Sequence, residues 1–221
     1  MVEIVASGSS GNAIVLNKNI LIDCGVSAKK LNCQIKSIRL ILLTHAHGDH
    51  FKPTTIHKIM RLSPRSRIAF APHMKPVIES ARLPENRVDM LEHGTMYDYG
   101  ICQVTPFNLP HNIPNAGWKI ILPNKKKVFY ATDASNLDNV SAKNFDLYLI
   151  EANHETDEIL ERIRKKEEAG QYSYEVSAMK NHLSKEKADR WLMENMGSNS
   201  EYIYLHEHHD HHSQNPVIRG R

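Results

Sequence analysis

Residues 40–51 read LILLTHAHGDHF, an apolar run whose exit carries His45, His47, Asp49 and His50 within six positions. The preceding stretch, IRLILLTH, is apolar throughout, which fits a short strand covered on both faces rather than one with alternating exposure. Any fold for this chain must bury that strand yet keep three imidazoles and a carboxylate usable at its carboxyl end. In an extended exit loop His45, His47 and Asp49 alternate and can turn toward one point, with His50 opening the next helix. Imidazole and carboxylate donors without thiolates suit Zn²⁺ or Mn²⁺ and do not suit a structural cysteine-rich zinc site. Two subsets, one of paired imidazoles and one with Asp49 and His50, can serve two ions side by side.

The flanking sequence supplies a mixed scaffold. VEIVAS, AIVLN and ILIDCG are compact β-rich runs separated by Gly, Ser and Asn turn signals. PTTIHKIMRLS reads as a helix with Pro53 in its first turn, RIAFAP as a strand, and HMKPVIESARL as another helix. From about residue 87 the chain turns β-rich again, through RVDMLEHG, ICQVTPFNL, GWKIILP, KVFYATD and FDLYLIEAN, with PNKKKV as a hairpin turn. Two helices follow, over 155–168 and 185–196, the second capped by Ser184. The last strand is EYIYLHE. This order predicts an α/β layered sandwich, two sheets face to face with helices outside, in one domain over 1–208 and a polar His-rich tail over 209–221.

Composition narrows the setting. The three cysteines, Cys24, Cys33 and Cys102, are too scattered for a disulfide framework, which points to reduced thiols and a cytoplasmic protein. No apolar run approaches the roughly 20 residues that span a bilayer, so no membrane partner is expected. A net charge of +3, with dispersed basic residues, permits a polyanionic partner without demanding one.

THAHGDH resembles the signature of the metallo-β-lactamase fold superfamily, and the remaining motifs occur in order. ILIDCG resembles the first, with Asp23 at a strand end. LPHN offers His111, VFYATDAS offers Asp133, and YIYLHEH resembles the last, a strand ending in a histidine. The resemblance implies an αββα four-layer sandwich and two divalent cations per chain, Zn²⁺ or else Mn²⁺. One would be held by His45, His47 and His111, the other by Asp49, His50 and a C-terminal histidine, with Asp133 bridging. Asp23 would accept a hydrogen bond from a ligand imidazole and fix its tautomer; a turn-forming aspartate before Gly25 is the plainer reading. At the last position the gapless alignment sets Glu207 opposite the usual histidine, flanked by His206, which follows the strand directly, and His208.

Within the superfamily, LYLIEANHE resembles the glutamate motif of RNase Z enzymes and NHLSKEKADRWL their histidine segment, giving Glu151 and His182. In that group the Asp49-like aspartate, the glutamate and the histidine relay a proton to the leaving oxygen. SGSSGNA, with IEANHE and HLS, looks most like the YycJ/WalJ-type nucleases and small phage-encoded relatives that include the anti-Pycsar proteins. Ser9, Ser10 and Asn12 would then lie in a tight loop where hydroxyls and backbone N–H groups contact a phosphate, or form a plain Gly-Ser turn. The function implied is hydrolysis of a nucleotide phosphodiester by water activated between two ions. A cyclic nucleotide is the first substrate to consider and nucleic acid the alternative, with the chain acting as a homodimer like the phage relatives.

Overall fold

The structure, a computed structural model, describes residues 2–206 and 219–220. Its contacts group the chain into two compact units, Met1–Tyr97 and Asp98–Arg221.

The first unit is organised by a six-stranded sheet whose strands run in chain order: β1 (Val2–Ala6), β2 (Ala13–Leu16), β3 (Ile20–Ile22), β4 (Leu40–Leu43), β5 (Arg67–Phe70) and β6 (Val88–Met90). β1 to β3 form an antiparallel meander, whereas β3, β4, β5 and β6 pair in parallel. Every residue of β3 and β4 is buried, as their unbroken apolar sequence requires. The parallel pairings bring the carboxyl ends of four strands to one edge, so Asp23 and Thr44 emerge beside each other. Of the helices α1 (Ala28–Leu31), α2 (Pro53–Leu62) and α3 (Lys75–Ser80), α2 is the clearest case of helical patterning. Its Ile56, Ile59 and Met60, at i, i+3 and i+4, enter a core with Val15, Leu21, Ile41, Leu43 and Ile68. Pro53 occupies the first turn, where its missing N–H costs nothing. The single helix expected over HMKPVIESARL is instead a 3₁₀ turn over Pro72–Met74 followed by α3, which stops before Arg82 takes a left-handed conformation, φ 51°.

The second sheet has the order β13-β12-β11-β10-β9-β8-β7. Its strands are β7 (Tyr97–Asp98), β8 (Gln103–Leu109), β9 (Asn115–Ile121), β10 (Lys127–Ala131), β11 (Leu147–Glu151), β12 (Glu201–Leu205) and β13 (Arg219–Gly220). β8, β9 and β10 are antiparallel, and β9 and β10 are joined by the lysine-rich turn, whose Lys125 has φ 67°. β10, β11 and β12 are parallel, with Ala131 opposite Ile150 and Glu151 opposite Leu205. This register places Asp133, Glu151 and His206 at one edge of the sheet. Phe129, Tyr148, Leu183, Trp191 and Leu192 dominate the core beneath. Arg219 and Gly220 pair antiparallel with β12; the rest of the expected His-rich tail, with Glu207 and His208, lies outside the described residues.

Helices α4 (Thr156–Glu168), α5 (Glu175–Asn181) and α6 (Lys185–Asn195) complete this unit. Ser184 caps α6 by accepting from the Lys187 N–H, and the exposed face of α4 carries the Glu161–Lys165 pair at 2.7 Å. Sequence reading missed α5, because Gly170 and the polar, tyrosine-bearing stretch before it read as a loop. No helix among the described residues is long and apolar enough to cross a membrane.

The α4–α5 hairpin is locked by Glu175, only 3% exposed, which accepts from Lys166 Nζ at 2.6 Å and Ser173 Oγ at 2.8 Å. Burial alone would raise its pKa, but these bonds prevail and bring it from 4.5 down to about 2. A depressed carboxylate stabilises the fold fully above its unfolded value and loses that contribution as pH falls toward its folded one. The hairpin should therefore loosen between pH 4.5 and 2, read as rising protease cleavage or amide exchange over residues 156–181. Glu175→Gln should flatten that dependence; identical profiles for the two proteins would refute the assignment.

Candidate metal centre

In the first unit the exit of β4 is folded more tightly than an extended loop. The N–H groups of His50 and Phe51 both donate to the His47 carbonyl, at 2.9 and 2.8 Å, so residues 47–50 form a turn. His50 lies in that turn, ahead of α2, and does not open the helix. Gly48 lies within this turn, exposed and with open space around it, so the constraint on the turn comes from other parts of the chain. The turn is held from behind by Gly25, where an added Cβ would fall 1.6 Å from the Asp49 carbonyl oxygen. That close approach is what requires glycine. The Asn12 N–H donates to the same carbonyl at 2.6 Å.

Asp23, wholly buried at the end of β3 with φ 55°, organises the imidazoles. One oxygen accepts from the Thr44 N–H at 2.9 Å, and the Thr44 hydroxyl donates to the carboxylate at 2.9–3.0 Å. The other oxygen lies 2.8 Å from His50 Nδ1. A carboxylate can only accept, so His50 carries its proton on Nδ1 and its lone pair on Nε2. Thr44 Oγ1, its hydrogen given to Asp23, accepts from His45 Nδ1 at 3.0 Å and leaves Nε2 as the lone-pair nitrogen there too. His45 Nε2 lies 3.0 Å from His47 Nδ1, and the His45 and His50 rings stand 4.1 Å apart. Asp49, at 25% side-chain exposure, brings a carboxylate oxygen within 3.5 Å of His50 Nε2. The sequence had not singled out Thr44, although a hydroxyl at the exit of a buried strand, one residue before a ligand-grade imidazole, was there to be read.

Asn12 is buried, and its amide faces His50 Nε2 at 2.8 Å and Asp49 Oδ2 at 3.4 Å. Ser9 and Ser10 are exposed at the tip of the same loop. The Asn12 side chain also accepts from the Gly8 N–H and donates to the Gly8 carbonyl, which closes the loop on itself.

In the second unit, Asp133, Glu151, His182 and His206 each offer an atom within 4.8 Å of the others. Glu151, fully buried at the end of β11, accepts from the N–H groups of Ala134 and Leu183 at 2.9 and 3.1 Å. Its other oxygen lies 2.7 Å from His182 Nδ1 and 3.2 Å from His206 Nδ1. Asp133 Oδ1 lies 3.2 Å from His206 Nδ1 and 3.4 Å from His182 Nδ1. Burial alone would raise the Glu151 pKa, but the bonds from His182 and His206 outweigh it and hold the group below the usual carboxylate range. Burial likewise opposes a charge on His206, yet the Asp133 and Glu151 carboxylates push its pKa up to about 10. Two buried carboxylates this close demand a cation, and imidazolium or a metal ion can supply it. His111 donates from Nδ1 to the Asn181 carbonyl at 3.0 Å, which makes Nε2 its lone-pair nitrogen, and burial pushes its pKa down toward the neutral, ligating form.

The donor chemistry fits a divalent cation in both units. Ligands about 2.0–2.2 Å from Zn²⁺ stand roughly 3.3 Å apart on a tetrahedron, close to the His45–His47 and Asp133–His206 separations. The donors are nitrogen and oxygen, and Asp23 and Thr44 set the tautomers from behind.

Residues 18–193 match the family described as Beta-lactamase superfamily domain. The chain belongs to the β-lactamase superfamily. Exodeoxyribonuclease WalJ of Streptococcus pneumoniae serotype 2 (strain D39) is 26% identical to it, over 91% of this chain and 79% of that protein. Exodeoxyribonuclease YycJ of Bacillus anthracis is 24% identical over 70% of this chain and 63% of that one. Among solved structures, the metallo-β-lactamase fold protein YhfI of Bacillus subtilis superimposes with a TM-score of 0.68 at 17% identity, covering 95% of this chain and 86% of that one. The short form of human tRNase Z gives 0.65 at 19% identity, covering 93% and 92%. The fold is therefore the metallo-β-lactamase type of mixed α/β, as the resemblance implied, and the chain falls with the superfamily's nuclease and phosphodiesterase branch.

In this superfamily member Asp23→Asn should cost metal affinity without unfolding the chain, since an amide cannot accept from both Thr44 and His50. A loss of about 10–100-fold is expected, measured by competitive Zn²⁺ titration of protein with unchanged circular dichroism. Unaltered affinity would remove Asp23 from the site.

Proposed function

We propose that His45, His47, Asp49 and His50 act together with His111, Asp133 and His206 to hold two divalent cations, Zn²⁺ or Mn²⁺, and that the protein hydrolyses a small nucleotide phosphodiester such as a 3′,5′-cyclic nucleotide. The metal-dependent phosphodiester hydrolase class follows from kinship with the exodeoxyribonucleases and from the tRNase Z fold. The observation that carries the chemistry is the Glu151–His182 pair, 2.7 Å apart, with Glu151 sealed from solvent and the His182 side chain 20% exposed.

Bound cations supply Lewis acidity and lower the pKa of water toward neutrality. The chain's own groups do the rest. As an imidazolium with its Nδ1–H directed at Glu151, His182 would give its Nε2 proton to the departing alkoxide, otherwise a poor leaving group, and be recharged by the proton that the attacking water loses. Glu151 fixes the orientation of the ring. Asp49 takes part in the same proton path as well as in ligation. Ser9 and Ser10, exposed at the loop tip, offer hydroxyls and backbone N–H groups to the phosphate, while the buried Asn12 closes the loop behind them.

Two features favour a small substrate. The residues between His111 and Asp133 are taken up by the β9–β10 hairpin, and a net charge of +3 is a weak match for a long polyanion, whose binding draws on many Lys and Arg contacts. The second reading, end-wise cleavage of DNA, is favoured by the 26% identity with WalJ. Homodimerisation belongs to the first reading and is checked by light scattering.

The deciding experiment is hydrolysis of 3′,5′-cyclic nucleotides against single- and double-stranded DNA, with Zn²⁺ or Mn²⁺ supplied. Turnover of the cyclic nucleotides supports the first reading, and salt-sensitive degradation of DNA alone replaces it with the second. Asp49→Ala should abolish turnover. His182→Ala should keep its metal and slow turnover by about 10²–10⁴; loss of metal in that variant would overturn the role given to His182.

A further inference from the structure

Asp133 and His206 share an unusual backbone. Each follows the last residue of a parallel strand, β10 and β12, or lies one further on, and each has φ 54°, in the left-handed region that side chains seldom adopt. Their side chains meet at His206 Nδ1 and Asp133 Oδ1, 3.2 Å apart. Something must hold both corners, because a relaxed corner would swing the side chain away from its neighbours.

For Asp133 the holder is Asn115, fully buried at the start of β9. Its Nδ2 donates to the Thr132 carbonyl at 2.9 Å and to the Asp133 carbonyl at 2.7 Å. One amide thus pins the peptide planes on both sides of the Asp133 Cα. Neither bond touches the carboxylate. Among the described residues no donor reaches Asn115 Oδ1, so the amide is buried for what its N–H groups do. For His206 the same task is divided. The Ala152 N–H donates to the Leu205 carbonyl at 3.0 Å, and Asn153 Nδ2 donates to the His206 carbonyl at 3.0 Å. Asn153 is itself tethered, its N–H donating to the Leu183 carbonyl at 2.9 Å, next to His182.

We propose that Asn115 and Asn153 are positioning residues, two buried side-chain amides that hold the left-handed corners carrying Asp133 and His206 so that carboxylate and imidazole meet at one point. The inference rests on the reading above that these two side chains are metal ligands. It assigns the asparagines no contact with cation or substrate. They act through the backbone alone, which separates them from groups that orient a ligand by bonding to its side chain.

The test is titration of the full-length, metal-stripped chain with Co²⁺, followed by its visible absorption and by calorimetry, with unfolding of the metal-free protein measured in parallel. Asn153→Leu, close in volume and without donors, should weaken Co²⁺ binding about tenfold or more and change the absorption band. Asn153→Gln, which keeps a primary amide, should restore most of the affinity. Asn115→Leu should have the larger effect; should it fail to fold, the Asn153 pair decides alone. Variants that unfold more easily yet bind Co²⁺ with wild-type affinity and spectrum are merely structural, and that result overturns the inference. Wild-type protein that takes up no Co²⁺ overturns the metal-centre reading itself, and this inference with it.

Discussion

A carboxylate removed from water must be matched by donors or by a cation, since an isolated buried charge is among the costliest things a protein can contain. Asp23 and Glu151 are both wholly buried, and each is satisfied by the same means: backbone N–H groups on one oxygen and an imidazole Nδ1 on the other. The consequence is directional. An imidazole whose Nδ1–H is directed at a buried carboxylate has its tautomer set, so His50 in the first unit and His182 in the second each have Nδ1 fixed by the protein. The carboxylates set the chemistry of the site from beneath it.

Parallel strand pairing decides where those carboxylates stand. Within the first sheet β3, β4 and β5 end at one edge, and within the second β10, β11 and β12 do the same, the usual place for function in open parallel sheets. Three residues just beyond or near these ends, Asp23, Asp133 and His206, turn through left-handed backbone within two degrees of one another in φ. Asp and His are tolerated there better than most side chains. A sharp corner stops the strand and redirects the side chain along the sheet edge, whereas continued extended backbone would point it at a face.

Much of this was legible in the residues themselves. The buried β4 followed from an unbroken apolar run, α2 from its i, i+3, i+4 spacing after Pro53, the cap of α6 from Ser184, and the lysine-rich hairpin from its turn composition. His45, His47, Asp49 and His50 stood out because four such donors in six positions have few other uses. The illegible parts were local geometries set by distant partners. The 47–50 segment is a hydrogen-bonded turn because Gly25 and Asn12 press on Asp49 from another part of the chain, and α3 is shortened by a 3₁₀ turn at Pro72. α5 is held by Glu175 reaching Lys166 on the preceding helix, a bond that periodicity cannot report.

The sequence by itself determined the donor inventory: nitrogen and oxygen groups in place of thiolates, with His45, His47, Asp49 and His50 gathered at the exit of the apolar run that forms β4. It thereby determined the superfamily and the kind of cation such donors accept. The tertiary structure alone decided which nitrogen of each imidazole carries the proton and how two carboxylates survive burial. It also decided that Thr44, Asn115 and Asn153 belong to the architecture of the site. Composition and spacing record which groups a chain possesses, but a tautomer or a left-handed corner depends on a partner tens of residues away, and only folding brings that partner within 3 Å.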